Sequence, residues 1–322
     1  MIPVKNSRKI YRQMHYDGHI LPHRPSEMRL SHLRRKAAPA FCLRARDIRC
    51  IVESFLICEG KHMQSIKTIQ PEKSHRILNS NVLKLIAILA MTADHLAWLL
   101  FPGYDKQPLP LLMHIIGRLT CPIMCWFIAE GFHYTRSRGR YAGRLLLLAV
   151  VSHFAYLFAS NDFVDWHSFI PFYYGSFLNQ TSVAWSLLGG LLMLWLCDSK
   201  TLKTPVKVAG VLLLCVLTFP ADWSCIASLC ILSIGSNRGN ARKQIAWCAF
   251  YVALYAAVYF FALDRIYGLL QLCTVLSIPL LCLYNGQRGK NASVNRVMKW
   301  FFYLYYPLHL FVLGLIQQTL RG

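Results

Sequence analysis

The sequence predicts an all-α integral membrane protein, a helical bundle that crosses the bilayer about nine times. Hydrophobic residues make up 55% of the 322 residues and charged residues only 15%, whereas soluble domains carry about 25% charged residues. Nine apolar segments follow one another along the chain, and a membrane-crossing helix needs about 20 mainly apolar residues. Lys and Arg concentrate in alternate connections between these segments, which is typical of cytoplasmic loops.

The nine apolar segments differ in length, and this leaves the number of crossings between eight and ten. Their ranges are 82–101, 111–131, 141–160, 181–197, 206–219, 223–235, 244–263, 266–284 and 299–317. Seven are long enough for a crossing helix. The fifth and sixth are short and are joined by a Pro-Ala-Asp turn, so they form two tilted spans or a re-entrant hairpin. Either alternative returns the chain to the same side of the membrane.

The distribution of cations predicts the orientation of the chain. Fourteen Lys and Arg residues lie after the second, fourth, sixth and eighth segments, and three lie on the opposite side. The positive-inside rule therefore places the N-terminus in the cytoplasm and the C-terminus outside, and the basic, apolar composition is typical of a multi-span inner-membrane protein. The loop 161–180 contains Asp162 and Asp165 and no Lys or Arg, as an outer loop should.

The formal net charge of +21 suggests a nucleic-acid partner when it is read alone. The apolar composition instead makes the lipid bilayer the partner, and we predict no nucleic-acid binding. Residues 1–76 hold 16 Lys and Arg against 6 Asp and Glu, with several Gly and Pro and no sustained helical period. We therefore divide the chain into a basic, poorly ordered extension, 1–76, and a membrane domain, 77–322. A second hypothesis is that Met63 begins a shorter native protein.

Ionisable residues inside membrane segments are costly, and they mark functional sites by default. At about 1.5 Å of rise per residue, Asp94, Arg118 and His153 lie roughly 10 Å below the outer boundary of the membrane. His309 lies roughly 12 Å below the same boundary. Four separate segments thus contribute to one polar layer.

Within this layer, the sequence predicts which groups meet. Asp94 and His95 are consecutive, so their side chains diverge by about 100° on a helix and do not face each other. We expect Asp94 to pair with Arg118, which leaves His95 free to face a cavity. The spacing of His114, Arg118, Cys121 and Cys125 places them on one stripe of the second segment, turned toward the bundle.

A basic rim is predicted at the cytoplasmic end of the second segment. Glu130 lies there, followed by Arg136, Arg138 and Arg140. A soluble anionic cofactor could dock at such a rim, although the arginine cluster is also explained by topology alone.

Four short motifs occur along the chain in a recognisable order. They are Met91-Thr-Ala-Asp94-His95, Gly117-Arg118-Leu-Thr-Cys-Pro122-Ile, Ala129-Glu130-Gly131-Phe-His-Tyr-Thr-Arg136 and Phe302-Tyr-Leu-Tyr-Tyr-Pro307-Leu-His309-Leu. On these motifs, residues 80–322 resemble the TraX family of conjugal-transfer proteins, which is similar to the wider group of membrane acyltransferases. The extension departs from the family pattern.

The resemblance implies an activity and a donor. It implies an acyl-CoA-dependent acetyltransferase that uses acetyl-CoA and a membrane-embedded catalytic His, and it links the family to conjugation and pilin acetylation. The resemblance does not fix the acceptor, which we expect to be an amine or a hydroxyl, either the pilin N-terminus or a cell-envelope glycan. No metal is predicted.

Roles follow for the candidate residues under this resemblance. His95 acts as a general base or carries the acetyl group transiently. Arg118 orients Asp94 or stabilises the developing oxyanion. His309, with His153 and Tyr306 in support, completes the polar layer. The residues expected to bind the cofactor are those of the basic rim: Glu130, Arg136, Arg138 and Arg140.

Two other functions fit the same residues. A layer of His and Asp can serve a transporter or a proton relay, although no repeated halves are visible in the sequence. The chain could also be a non-catalytic membrane component of a conjugation or secretion apparatus. In that case Asp94 and Arg118 form an ion pair that only fixes helix register.

Overall fold

The computed structural model describes residues 76–160 and 181–319, and these ranges form eleven α-helices and one 3₁₀ helix. The predictions for the extension 1–76, other than Arg76, and for the loop 161–180 lie outside the described residues. The helices are α1 Ser80–Leu100, α2 Pro108–Gly117, α3 Thr120–Tyr134, α4 Arg138–Ser160, α5 Val183–Asp198, α6 Thr204–Thr218, α7 Ser224–Ser236, α8 Ala241–Ala262, α9 Arg265–Gln271, the 3₁₀ helix Leu272–Leu276, α10 Ser277–Cys282 and α11 Ala292–Thr319.

The predicted all-α class is confirmed in the described part of the chain, where the β contacts are two isolated bridges. Each predicted apolar segment coincides with a helix or with a group of consecutive helices. Six of these units are long and apolar enough to cross a membrane, and α5, α6 and α7 are shorter. Large apolar side chains such as Leu89 and Leu147 are exposed, 62% and 65% respectively, as expected for a surface that faces lipid. The chain is therefore a multi-pass membrane protein.

The second segment is two helices rather than the single helix predicted for 111–131. Helix α2 ends at Gly117, two residues form a turn, and α3 begins at Thr120. Pro122 has no N–H for the Arg118 carbonyl, and its ring clashes with that carbonyl in a continuous helix. The break therefore places Arg118 at a turn in the middle of the apolar segment.

The eighth segment is also interrupted, by the 3₁₀ helix between α9 and α10. Pro279 lies three residues into α10, so it removes the N–H that would bond the carbonyl of Val275. Gln271 ends α9 at this interruption and is 1% exposed.

Helix α1 packs against α2, α3 and α11, and α11 also packs against α4. The start of α1 is fixed by Asn79, whose side chain accepts from the backbone N–H of Asn81 and Val82. The preceding strand-like residue, Leu78, donates to the carbonyl of Leu283 at 3.0 Å and accepts from the N–H of Asn285 at 2.9 Å. The entry to α1 is thereby joined to the chain that follows α10.

A short hairpin joins α6 to α7 over residues 219–223. The backbone N–H of Asp222 donates to the carbonyl of Thr181 at 2.8 Å. Trp223 and Ser224 both have positive φ, 63° and 51°. Such backbone is unfavourable for residues other than Gly and persists only where the surroundings hold it. The ring of Trp223 stacks on Tyr255 with the centroids 4.1 Å apart.

Candidate functional site

The predicted ion pair between Asp94 and Arg118 is present. Nη2 of Arg118 lies 2.6 Å from Oδ1 and 2.7 Å from Oδ2 of Asp94, so the carboxylate is held at both oxygens. The Asp94 side chain is 15% exposed and that of Arg118 is 8% exposed. Pairing inside the bundle compensates both charges, which neither helix could tolerate alone in an apolar medium.

The other donors of Arg118 are also engaged. Its Nε donates to the carbonyl of His114 at 3.2 Å, and its Nη1 donates to Oε1 of Gln271 at 2.8 Å. Nδ1 of His114 lies 2.8 Å from Oδ1 of Asp94, and a carboxylate accepts, so this nitrogen donates. Arg118 is thus locked by three helices, and the geometry favours its orienting role over that of an oxyanion donor.

Gly117 allows α1 and α2 to approach at this network. A Cβ at this position would overlap Cβ, Cγ and Oδ1 of Asp94. Because Gly117 has no side chain, the Asp94 carboxylate has space next to Arg118.

His95 and His309 form the second half of the site. Nδ1 of His95 lies 2.7 Å from Nε2 of His309, and the two rings are nearly parallel, at 8°, with their centroids 4.9 Å apart, so they meet edge to edge. The prediction that His95 is free to face a cavity is wrong at this nitrogen, because α11 brings His309 onto it. The two residues are on α1 and α11, which pack together.

The hydrogen bonds fix the proton positions in the neutral histidine pair. Nδ1 of His309 lies 2.9 Å from the carbonyl oxygen of Tyr305. Because a carbonyl only accepts, Nδ1 of His309 carries a proton and its Nε2 is the acceptor. Nδ1 of His95 then donates to that nitrogen, and Nε2 of His95 keeps a lone pair. Among the described residues, this Nε2 has no hydrogen-bond partner.

Tyr305 contacts both His309 and α1 next to the histidine pair. Its ring is parallel to that of His309, with an interplanar angle of 6°, and its hydroxyl lies 2.7 Å from Oγ1 of Thr92. Thr92 in turn donates to the carbonyl of Ile88 at 2.8 Å, so the hydroxyl of Tyr305 donates to Thr92. Helices α1 and α11 are therefore joined by a second contact, about one turn before the histidine pair.

The two supporting residues of the predicted layer lie at its side. Tyr306 is buried, and its ring centroid is 5.6 Å from that of His309. Nδ1 of His153 lies 2.9 Å from Oγ1 of Thr181, so this histidine contacts the residue that also holds the 219–223 hairpin.

The predicted basic rim is divided in the structure. Nη1 of Arg138 pairs with Oδ2 of Asp198 at 2.7 Å, and its guanidinium lies over the ring of Phe132. Arg136 and Arg140 are exposed. Glu130 is half-buried, and its Oε2 accepts from the hydroxyl of Tyr284 at 2.8 Å. Glu130 and Arg138 thus have different partners, and whether any residue of the rim binds a cofactor stays a prediction.

Three residues of the site were not assigned a role from the sequence. His114 is fully buried beside Trp98 and Tyr267, and its Nε2 has no partner in the described part of the chain. Gln271 holds Arg118 from a helix end that no periodicity marks. Burial raises the pKa of Asp222, which lies in the hairpin within electrostatic range of Arg118 and Asp94, and Arg118 opposes this rise.

A small cavity of about 10 Å³ lies beside the site and is lined by Cys121, Cys125, Trp223, Cys230 and Cys248, with apolar residues. A space of this size holds about one water molecule. Within the described ranges, no three His, Cys, Asp or Glu side chains converge as metal ligands.

The chain is similar to proteins of one family. The family described as TraX protein matches residues 79–317, which include every helix of the site. A relative from Dichelobacter nodosus, "Probable fimbrial assembly protein FimC, serogroup H1", is 29% identical over 248 residues, which cover 74% of this chain and 96% of the relative. No solved structure matches the chain. The chain therefore belongs to the TraX protein family.

Proposed function

We propose that this protein is an acetyltransferase of the bacterial inner membrane that takes part in pilus or fimbrial assembly. It transfers the acetyl group of acetyl-CoA to an amine or hydroxyl acceptor. The observation that carries the proposal is the polarised histidine pair, in which Nε2 of His95 keeps a lone pair beside the buried Asp94–Arg118 network.

His95 is the general base in this mechanism. Its Nε2 takes the proton of the acceptor amine or hydroxyl while the acceptor attacks the thioester carbonyl. The tetrahedral intermediate then collapses, the carbon–sulfur bond breaks, and the proton on His95 passes to the departing CoA thiolate. His309 holds the reactive tautomer by accepting from Nδ1, and the Asp94 carboxylate on the preceding residue stabilises the transient imidazolium.

Arg118 acts as a positioning residue in this mechanism. Its bonds to Asp94, Gln271 and the His114 carbonyl fix α1 against α2 and α9. They also keep the Asp94 charge in place next to His95. A preorganised charge of this kind acts without reorganising at the moment of reaction.

The likeness to a fimbrial assembly protein supports a pilus subunit as the acceptor, with its N-terminal amine as the reacting group. An envelope glycan hydroxyl is the alternative acceptor, since the base would activate either group. The donor arrives from the cytoplasm in both cases.

The proton-relay alternative is less well supported by the geometry. A relay needs a donor and an acceptor at each step, and the histidine pair ends at the backbone carbonyl of Tyr305. A carbonyl has no proton to pass on. The pair is therefore better suited to a local base than to a path across the membrane.

The test uses the full chain in lipid nanodiscs with labelled acetyl-CoA and a peptide that carries the N-terminus of a pilus subunit. We expect His95→Asn to lower transfer by about 100-fold or more. The matched control is His133→Asn, because His133 is a half-buried histidine outside the histidine pair, with its Nε2 3.0 Å from the carbonyl of Gly235.

Absence of transfer to both amine and hydroxyl acceptors by the wild type would overturn the proposal in favour of a non-catalytic component. Full activity of His95→Asn would show that the base has been assigned to the wrong residue.

A further inference from the structure

Four cations from separate parts of the chain converge at the predicted cytoplasmic end of the bundle. They are Lys84 on α1, Arg144 on α4, Lys299 on α11 and Arg288 in the loop before α11. Lys84 is within electrostatic range of Arg288 and Lys299, and Lys299 is within range of Arg144 and Arg288. We call this group the cation cluster.

The loop that carries Arg288 is fixed to the start of α1. The N–H of Ser80 donates to the carbonyl of Gln287 at 2.9 Å. The Asn295 amide donates to the carbonyl of Gly289 at 2.7 Å and accepts from the amide of Asn81 at the same distance. The backbone therefore holds the loop that carries Arg288 beside the start of α1, within electrostatic range of Lys84.

Lys84 is half-buried between two aromatic rings. Its Nζ lies 5.5 Å from the ring centroid of Phe127 and 5.8 Å from that of Phe302. No carboxylate of the described residues lies within 4.0 Å of this ammonium. The acidic group in its electrostatic range is Glu130, which already accepts from Tyr284. Cation–π contacts hold the ammonium in place without neutralising its charge.

Arg144 supplies an unused donor. Its Nε is buried and has no hydrogen-bond partner among the described residues, and its guanidinium lies 5.8 Å from the ring centroid of Tyr141. A buried donor of a charged group that stays unpaired costs free energy comparable to a lost charged hydrogen bond. The Arg144 side chain is also hydrogen-bonded to Tyr303 of α11, so its position at the cation cluster is fixed while its Nε lacks a partner among the described residues.

Among the described residues, the charges of the cation cluster are not balanced. Glu130 is in electrostatic range of Lys84 and Arg288, and both α1 and α11 begin at this end, where a helix N-terminus adds positive potential. From this imbalance we infer that the cation cluster is a binding site for a phosphate ester, with Arg288 and Lys299 at its exposed mouth and Lys84 and Arg144 inside.

The phosphate ester has two possible sources, the diphosphate of acetyl-CoA and the phosphate of a lipid headgroup. Lys84 and His95 are eleven residues apart on α1, about 16 Å along its axis. A ligand that joins both positions needs a long arm between its phosphates and its reacting group, as acetyl-CoA has. The site is therefore assigned to the donor, an assignment that rests on the proposed function.

The experiment measures binding of CoA to the full chain in nanodiscs of neutral phosphatidylcholine. We expect Lys84→Gln and Arg144→Gln each to weaken binding about tenfold or more, since each removes a charged hydrogen bond. The matched controls are Lys200→Gln and Arg242→Gln, exposed cations of predicted cytoplasmic connections that belong neither to the cation cluster nor to the predicted basic rim.

A second arm identifies the source of the phosphate. Lipid that co-purifies with each variant is quantified by mass spectrometry, and phosphatidylglycerol nanodiscs test competition with CoA. The donor assignment would be overturned if the variants retained less anionic lipid than the wild type but bound CoA equally well. Unchanged binding of both ligands would overturn the phosphate site itself.

The proposed function fails independently of this site. Normal CoA binding without acetyl transfer would overturn the enzyme and leave the phosphate site intact. If Arg144→Gln does not fold, Arg288→Gln and Lys299→Gln replace it, because both side chains belong to exposed residues. Arg144→Lys should recover part of the binding, which a merely structural role for the guanidinium plane would not allow.

Discussion

The buried pair of Asp94 and Arg118 gives the sharpest prediction about stability. Arg118→Met removes two bonds from the Asp94 carboxylate and leaves it with His114 alone. Breaking a buried pair by removing one partner costs about 3–5 kcal/mol. Because the Asp94 side chain keeps 15% exposure, we expect about 3 kcal/mol, at the lower end of this range.

The double variant separates the stranded charge from the lost contact. Asp94→Leu combined with Arg118→Met removes both charges, and replacing a buried pair by apolar residues is often neutral. The free energy of unfolding in mixed micelles, followed by circular dichroism, should therefore fall less in the double variant than in either single variant. Costs that simply add in the double variant would refute the reasoning, because they would show no coupling between the two side chains.

Three further predictions concern the site and its supports. Gly117→Ala should destabilise the protein and lower transfer, because its Cβ would overlap Asp94. In Gly143→Ala the new Cβ would meet no atom within 4 Å, so this variant should stabilise α4 by about 0.5–1 kcal/mol. The free energy of unfolding in mixed micelles checks both variants. His309→Leu should lower transfer more than His309→Gln, since the Gln carbonyl can still accept from Nδ1 of His95. Equal activities of the two variants would contradict the role of His309 in holding the His95 tautomer. Burial raises the pKa of Asp222, so the charged carboxylate destabilises the fold at neutral pH. Asp222→Asn should therefore be more stable than the wild type at neutral pH, and the difference in unfolding free energy should vanish on acidification. Unfolding curves measured over a pH series test the direction of this change.

Depth counting along the chain was sufficient to predict the ion pair. Asp94 and Arg118 were placed in one layer by a rise of about 1.5 Å per residue, and an uncompensated charge in an apolar medium is costly enough to dictate its partner. The same counting put His95 and His309 in one layer. It did not predict their contact, because the rotation of α11 about its axis is set by packing.

The packing of α11 illustrates this limit. Gly314 lies directly against Phe158 and Ala159 of α4, and this close approach sets the face that α11 turns toward α1. Such complementarity depends on side chains far apart in the sequence. No local period carries it.

The remaining site residues were missed for a different reason. Gln271 and Asp222 lie at a helix interruption and in a hairpin, where apolar periodicity gives no direction to a side chain. The cation cluster combines Lys84 of α1 with cations that the topology count treats as loop charges. Charge counts show how many cations lie on one side, but not which of them the loop geometry brings together.

The central claim is that His95 is the base of an acetyl transfer. The most direct measurement is a single-turnover reaction with labelled acetyl-CoA and the pilus-subunit peptide, run beside CoA binding in the same nanodisc preparation. His95→Asn should bind CoA as the wild type does and should transfer acetyl at least about 100-fold more slowly. Equal transfer by the two proteins, at equal CoA binding, would contradict it.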